Sequence, residues 1–296
     1  MSRTLKAHIL LILVTFVWGA TFVVIKNALA DISPLLFNAV RMALAGTCLL
    51  IVYWRQILRI DRATASAGFL VGIFLWLGYE FQTTGLRLTT ASKSGFLTGV
   101  SVALVPVFMA MFFHRKVNRW TLIGVIAAFI GMAMMTLPAG AAAWESVNRG
   151  DLLTLGCAVA FAFHIIFLGR ATQKHRFEQI AFLQVLVAAT LMFLTVPMVE
   201  EAQVVWTPRV LTAIAVTGLL GTAAAFTIQA WAQQFTPPSH TALIFAMEPV
   251  FAWLTSYVVL GERLGPQATV GAALILAGVL LSELKGTPEE RVEISA

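Results

Sequence analysis

Ten times along the chain, polar residues give way to an apolar run of about 20 residues, the length a helix needs to cross the hydrocarbon core of a bilayer. Lipid offers no partner for a backbone N–H or C=O, so runs of this length and composition fold as helices. The spans fall at roughly 7–27, 34–54, 66–87, 92–113, 120–138, 151–171, 179–199, 209–232, 238–260 and 264–284. Charged residues make up 11% of the chain, against about 25% in soluble domains, and no soluble domain of useful size remains between the spans. The first run follows only "MSRTLKAH" and is too long, with no small-residue cleavage site, for a removed signal peptide, so it is expected to stay as a helix. The expected fold class is an all-α integral membrane protein with ten transmembrane helices.

Positive residues are retained on the cytoplasmic side of a membrane, and the loops divide unevenly. With the N-terminus inside, thirteen of the twenty Lys and Arg fall in cytoplasmic segments, six fall opposite, and Arg41 lies within a span. Both termini are therefore expected in the cytoplasm, most simply of a bacterial cell with the chain in its inner membrane. The net charge of +6 is then a matter of topology and implies no nucleic-acid partner. Cys48 and Cys157 both lie within spans as small apolar groups, so neither a disulfide nor a metal site is expected. Trp54, Trp120, Trp144 and Trp206 stand at or beyond span ends, as interfacial belts do, whereas Trp18, Trp76, Trp231 and Trp253 do not and need another explanation.

The chain also repeats itself. "LTTASKSGFLTGVSVALVPVF" from Leu88 aligns with "FTPPSHTALIFAMEPVF" from Phe235, and "RKVNRWTLIGVIAAFIGMAMM" with "ERLGPQATVGAALILAGVLL". One shift pairs Gln82 with Gln229, Ser92 with Ser239, Gly124 with Gly271 and Gly131 with Gly278, while Pro106 and Pro249 have slipped by about one helical turn. Five spans per half is an odd number, so the second half enters the membrane from the opposite side. The repeats are inverted, a common plan in secondary transporters. The expected units are residues 1–145 and 146–285, each a five-helix repeat, followed by a short cytoplasmic tail, 286–296.

The early "WGATFVVIK", Arg41 in the second span, the Ser/Thr-rich beginnings of the fourth and ninth spans, and "EPVF…GERLG…GAALILAGVLL" together resemble the drug/metabolite transporter superfamily, EamA type. The likeness covers nearly the whole chain. It implies ten helices about a central cavity that moves small metabolites such as amino acids or related solutes, often outward. The first half departs from the pattern: "HRKV" stands where an acid often follows a glycine, so no acidic role carries over to that loop.

Ionisable groups within spans cost about 2.5 to 3.5 kcal/mol at the centre on insertion scales and normally face a bundle interior or water. Arg41, Glu80, His164 and Glu248 are the four that stand out. Arg41 and Glu80 each lie roughly 4 to 5 Å toward the outer face at about 1.5 Å per residue, a depth that suits either a structural ion pair or substrate contact by one of them. Glu248 lies close to the midplane with no Lys or Arg at its depth, and a carboxyl so placed avoids its desolvation cost by taking a proton. Beside it Pro249 frees the carbonyl of Phe245, so the helix can kink and present backbone to a cavity. A transport role for Glu248, including proton coupling, stands beside two structural ones, a neutral acid bridging helices and a kink stabiliser. His164 suits an interhelical hydrogen bond or a proton relay. Gln229 shares a small, weakly polar stripe with Gly218, Gly221, Thr222 and Ala225, which suits helix packing or a pore lining. Trp18 is placed to stack on a substrate or to wedge between helices. Substrate-binding candidates are thus Trp18, Arg41, Glu80, Gln82, His164, Gln229, Glu248 and Trp253.

No zinc-protease, nucleophile-elbow or phosphate-loop signature occurs, so neither an enzyme nor an ATP-driven pump is expected, and no cofactor is implied. The expected function is secondary transport of small metabolites, with export favoured, by alternating access, proton-coupled or by exchange, in a monomer or homodimer embedded in lipid. The alternatives are a broad efflux carrier of amphipathic compounds and, from another class, a non-transporting scaffold or lipid-modifying protein.

Overall fold

A computed structural model of the chain describes residues 2–86, 88–89, 91–137, 148–261, 263 and 265–285. The expected unit boundary between 145 and 146, the tail 286–296, Arg87 and Trp144 lie outside the described residues. The first half contains α1 (Arg3–Ala28), α2 (Pro34–Ile57), α3 (Arg62–Leu86), α4 (Ala91–Gly99), α5 (Ser101–Phe113) and α6 (Arg119–Thr136). The second contains α7 (Arg149–Lys174), α8 (Phe177–Val199), α9 (Pro208–Gly218), a π-helical segment (Leu219–Ala224), α10 (Ala225–Ala232), α11 (Pro238–Phe245), α12 (Glu248–Leu260) and α13 (Pro266–Lys285). Nine runs among the described residues are long and apolar enough to span a membrane. The tenth crossing is made in two pieces, α11 and α12.

Helix ends carry the signals expected of them. Proline opens α2, α9, α11 and α13, where its missing N–H would have had no helical partner. Asn148 and Asp151 form a reciprocal capping box at the start of α7, each side chain accepting from the other's backbone N–H at 3.0 and 3.1 Å. Several helices run a turn beyond the apolar window because basic residues such as Arg3, Arg62 and Lys174 reach the interface from helical positions.

The exterior is apolar and part of the interior is polar, the reverse of a soluble domain. Leu13, Ile51, Ile126, Leu194, Val258 and Leu280 are all more than half exposed. Thr15, Thr121, Gln184, Thr217, Thr222 and Ser282 are fully enclosed. Two of these hydroxyls return to their own helix, Thr15 donating to the carbonyl of Leu11 at 2.8 Å and Thr217 to that of Ala213 at 2.7 Å, which removes an unsatisfied group from a dry environment.

The pairing of helices expresses the repeat. α6 packs on α13, α2 on α8, and α5 on α11, so each of these spans meets its own counterpart from the other half. α3 packs on α7 as α10 packs on α1, the same contact with the halves exchanged. The glycines fix this relation most tightly. A Cβ at Gly124 would stand 2.5 Å from the carbonyl oxygen of Gly278, and one at Gly271 would stand 2.5 Å from that of Gly131. Exchanging Gly124 for Gly271 and Gly131 for Gly278 turns the first contact into the second, which is what an inverted two-fold requires. α6 and α13 therefore cross backbone to backbone and run antiparallel.

The fourth and ninth spans are interrupted at equivalent places. α4 gives way to α5 at Val100, and α11 to α12 at Ala246 and Met247. The same shift that aligns the glycines aligns Val100 with Met247, so the interruptions keep the register that Pro106 and Pro249 have lost. At the second interruption the backbone tightens: Met247 N–H reaches only to the Ile244 carbonyl, at 3.1 Å.

Candidate functional site

The joint in the ninth span delivers Glu248 to the bundle interior at the first position of α12, half-buried. α1 passes so close that a Cβ on Gly19 would lie 2.7 Å from the backbone nitrogen of Ala252 and 2.9 Å from the Glu248 carbonyl. Only glycine permits that approach. One residue earlier on α1, the Trp18 indole N–H donates to the Gly221 carbonyl at 2.8 Å. Gly221 lies in the π-helical segment, where the wider turn reorients backbone groups, a feature frequent at functional sites. The Trp18 ring meets Phe245, at the end of α11, at 4.9 Å between centroids and Phe226 of α10 at 5.8 Å. Trp18 thus ties α1 to both irregular spans of the second half.

Across the interior, Tyr79 of α3 packs against Arg41. The Arg41 guanidinium lies over its ring at 4.6 Å and over Phe37 at 5.8 Å, while Phe161 of α7 meets it edge-on at 5.5 Å. Arg41 is buried, and among the described residues no carboxylate comes within ion-pair distance of it; its Nε has no hydrogen-bond partner. Glu248 likewise makes no ion pair or hydrogen bond among the described residues.

The expected Arg41–Glu80 pair is not formed. Tyr79 and Glu80 are adjacent on α3 and so point about 100° apart, as helical geometry requires. Tyr79 turns to Arg41, whereas Glu80 turns to α8 and accepts from the Thr195 hydroxyl at 3.3 Å. His164 is buried against Gln184, 2.8 Å from its Oε1, with its ring edge-on to Phe226 at 5.8 Å. Gln82 donates to Thr98 at 3.3 Å, and Thr98 lies 3.8 Å from the Cys157 sulfur. Gln229 donates to Gln233 at 3.4 Å, and its own carbonyl oxygen is buried without a partner. Trp253 packs on Tyr257, with its Nε1 buried and unpartnered. Trp231 stands at the end of α10 with the Lys6 ammonium over its ring at 5.4 Å.

Arg41 is therefore set against Tyr79, while Trp18 meets the Phe226 and Phe245 rings, Glu248 lies beside α1 at Gly19, and His164 stands behind Phe226. Glu80 and Gln82 contact neighbouring helices, whereas the contacts of Gln229 and Trp253 with Gln233 and Tyr257 lie within their own spans. Tyr79 was missed by sequence reasoning because the acid beside it drew attention; its signal was available, as it is the one tyrosine of three that falls deep inside a span.

Inverted five-helix halves about a partly polar interior are the plan of many membrane transporters. The chain belongs to the EamA-like transporter family, whose model matches residues 5–137 and again 148–284. It is 32% identical over 285 residues to an "uncharacterized transporter" of Archaeoglobus fulgidus, covering 96% of this chain and 87% of that one. The threonine/homoserine exporter RhtA of Escherichia coli is 26% identical, over 86% of this chain and 84% of its own length. A solved crystal structure superposes with a TM-score of 0.80 over 96% of this chain and 99% of the other, at 17% identity, and shares the fold.

Proposed function

We propose that this transporter exports small zwitterionic metabolites of the amino-acid class by alternating access, with Glu248 coupling movement to protons. One observation carries the reading: Arg41 and Glu248, one basic and one acidic, are both withdrawn into the bundle, and neither meets an opposite charge among the described residues. An α-carboxylate placed toward Arg41 and an α-ammonium toward Glu248 would supply each with its missing partner. The likeness to an exporter of threonine and homoserine supports the same substrate class. The charge bias of the loops supports an inner-membrane location with both termini cytoplasmic. The aromatic group of Trp18, Phe226, Phe245 and Phe161 supports a second reading, efflux of amphipathic compounds.

Counterflow of labelled threonine into proteoliposomes tests the first reading. Wild-type protein is expected to give saturable exchange, and Arg41→Gln to raise KM by about 10- to 100-fold, the worth of a charge-assisted hydrogen bond. Saturable movement of hydrophobic cations with no amino-acid exchange would decide for the second.

A further inference from the structure

At the end of the bundle where α1 begins and α13 finishes, three helices bring together side chains that are far apart in sequence. His8 lies in the second turn of α1, His240 near the start of α11, and Glu283 in the last turn of α13. His8 Nδ1 stands 2.6 Å from Glu283 Oε2, and His240 Nδ1 stands 3.6 Å from Glu283 Oε1. The two imidazole centroids are 6.2 Å apart. One nitrogen from each ring and one carboxylate oxygen fall within 4.8 Å of one another. The histidines are 11% and 13% exposed and the glutamate 29%, so the cluster is sheltered yet open to an aqueous ion.

We propose that His8, His240 and Glu283 bind a first-row divalent transition-metal ion, with Zn²⁺ the best fit. Two imidazoles and one carboxylate with a fourth position for water match the donor preference of zinc, whereas magnesium and calcium favour oxygen-only shells. A tetrahedral shell at about 2.0 to 2.1 Å sets ligand atoms roughly 3.3 Å apart, and the three donor atoms here, all within 4.8 Å of one another, need only draw together to reach that spacing.

The surroundings of His240 fit the same role. Its Nε2 faces two hydroxyls, Thr121 Oγ1 at 3.0 Å and Ser282 Oγ at 3.5 Å, and Ser282 donates to Thr121 at 3.2 Å. In the tautomer that donates from Nε2 to these hydroxyls, Nδ1, 3.6 Å from the carboxylate, keeps its lone pair for an ion. An imidazole fixed through one nitrogen and presenting the other is the usual support of a metal ligand. On His8 the Nε2 atom is buried with no hydrogen-bond partner. Because α1 belongs to the first half and α11 and α13 to the second, the bound ion would clasp the two halves at this end. This site is separate from the transport site and does not depend on the substrate assigned to it.

No short motif announces the cluster, since its members come from residues 8, 240 and 283. The test uses full-length, metal-stripped protein in detergent. Zn²⁺ titrated against a chromophoric chelator is expected to bind once per chain with Kd at or below about 10 μM, and His240→Asn or Glu283→Gln to weaken it by about 10- to 100-fold. His114→Asn should leave it unchanged. Absence of saturable Zn²⁺ binding below about 100 μM overturns the proposal, as does tight binding that survives His240→Asn. X-ray absorption on the wild-type protein with one equivalent of Zn²⁺ needs no variant to fold: a four-coordinate N/O shell with scattering from two imidazoles supports the site, and a six-coordinate oxygen shell overturns it. If His8 and Glu283 serve only as an ion pair, thermal stability will vary with pH while Zn²⁺ leaves it unmoved, which again overturns the proposal.

Discussion

A buried carboxylate that meets no cation has one inexpensive way to stay buried, which is to hold a proton. If Glu248 does so in one access state and releases it in the other, Glu248→Gln should fold and exchange labelled threonine, yet lose uptake driven by a pH gradient; a variant whose dependence on the gradient is unchanged would leave Glu248 as a bridge between helices. Arg41 and Glu80 make a different prediction. Because Tyr79 rather than Glu80 receives the guanidinium, a double-mutant cycle of Arg41→Ala and Glu80→Ala, read by reversible unfolding in mixed micelles, is expected to be additive within about 0.5 kcal/mol. A coupling several times larger would restore the ion pair. Residue counting gives only a residue's position along its own helix. Direction around the axis depends on which neighbour packs beside each position, and no count along one chain supplies that. Glu248 was legible because the proline next to it and the lack of basic residues at its depth are both written locally.

At the scale of helices, the tightest constraint is the crossing of α6 and α13. A methyl group at Gly124 would meet the Gly278 carbonyl oxygen at 2.5 Å, and backbone cannot yield as a flexible side chain would. Gly124→Ala should therefore cost about 1 to 3 kcal/mol by overpacking, seen as a lower midpoint of thermal unfolding. Gly95→Ala, where an added Cβ meets nothing within 4 Å, is the matched control and should be near neutral. Equal effects at the two positions would mean that the crossing is looser than its geometry implies. The spans were legible from hydropathy because lipid punishes exposed polar backbone uniformly. The interruptions were only half legible: Pro249 pointed to one, but Pro106 stands well past Val100, and the register shift that equates Val100 with Met247 says nothing until the breaks themselves are located. The π-helical segment left no sequence signal beyond a run of small residues, since its carbonyl partner, Trp18, comes from a helix some two hundred residues away.

At the scale of the whole molecule, the inverted repeat places the Arg115–Arg119 loop and the Gly261–Gly265 loop on opposite sides of the membrane. In a background lacking Cys48 and Cys157, a cysteine at Asn118 should be shielded from an impermeant thiol reagent in intact cells and one at Gly265 labelled; equal labelling would remove the inverted arrangement. Most of this plan was legible, because an odd number of spans per repeat leaves no other outcome, whereas the His8–His240–Glu283 cluster was not, being assembled from both ends of the chain. The two-fold relation also bears on how the chain is made. A body that maps onto itself when its halves are exchanged presents the insertion machinery with almost the same hydrophobic problem either way up. Its helices cannot choose, so the decision is left to a handful of lysines and arginines at the rim. Upright and capsized molecules are thus separated by a few removable charges, and a lineage of such chains could become two oppositely inserted populations without altering a single buried residue.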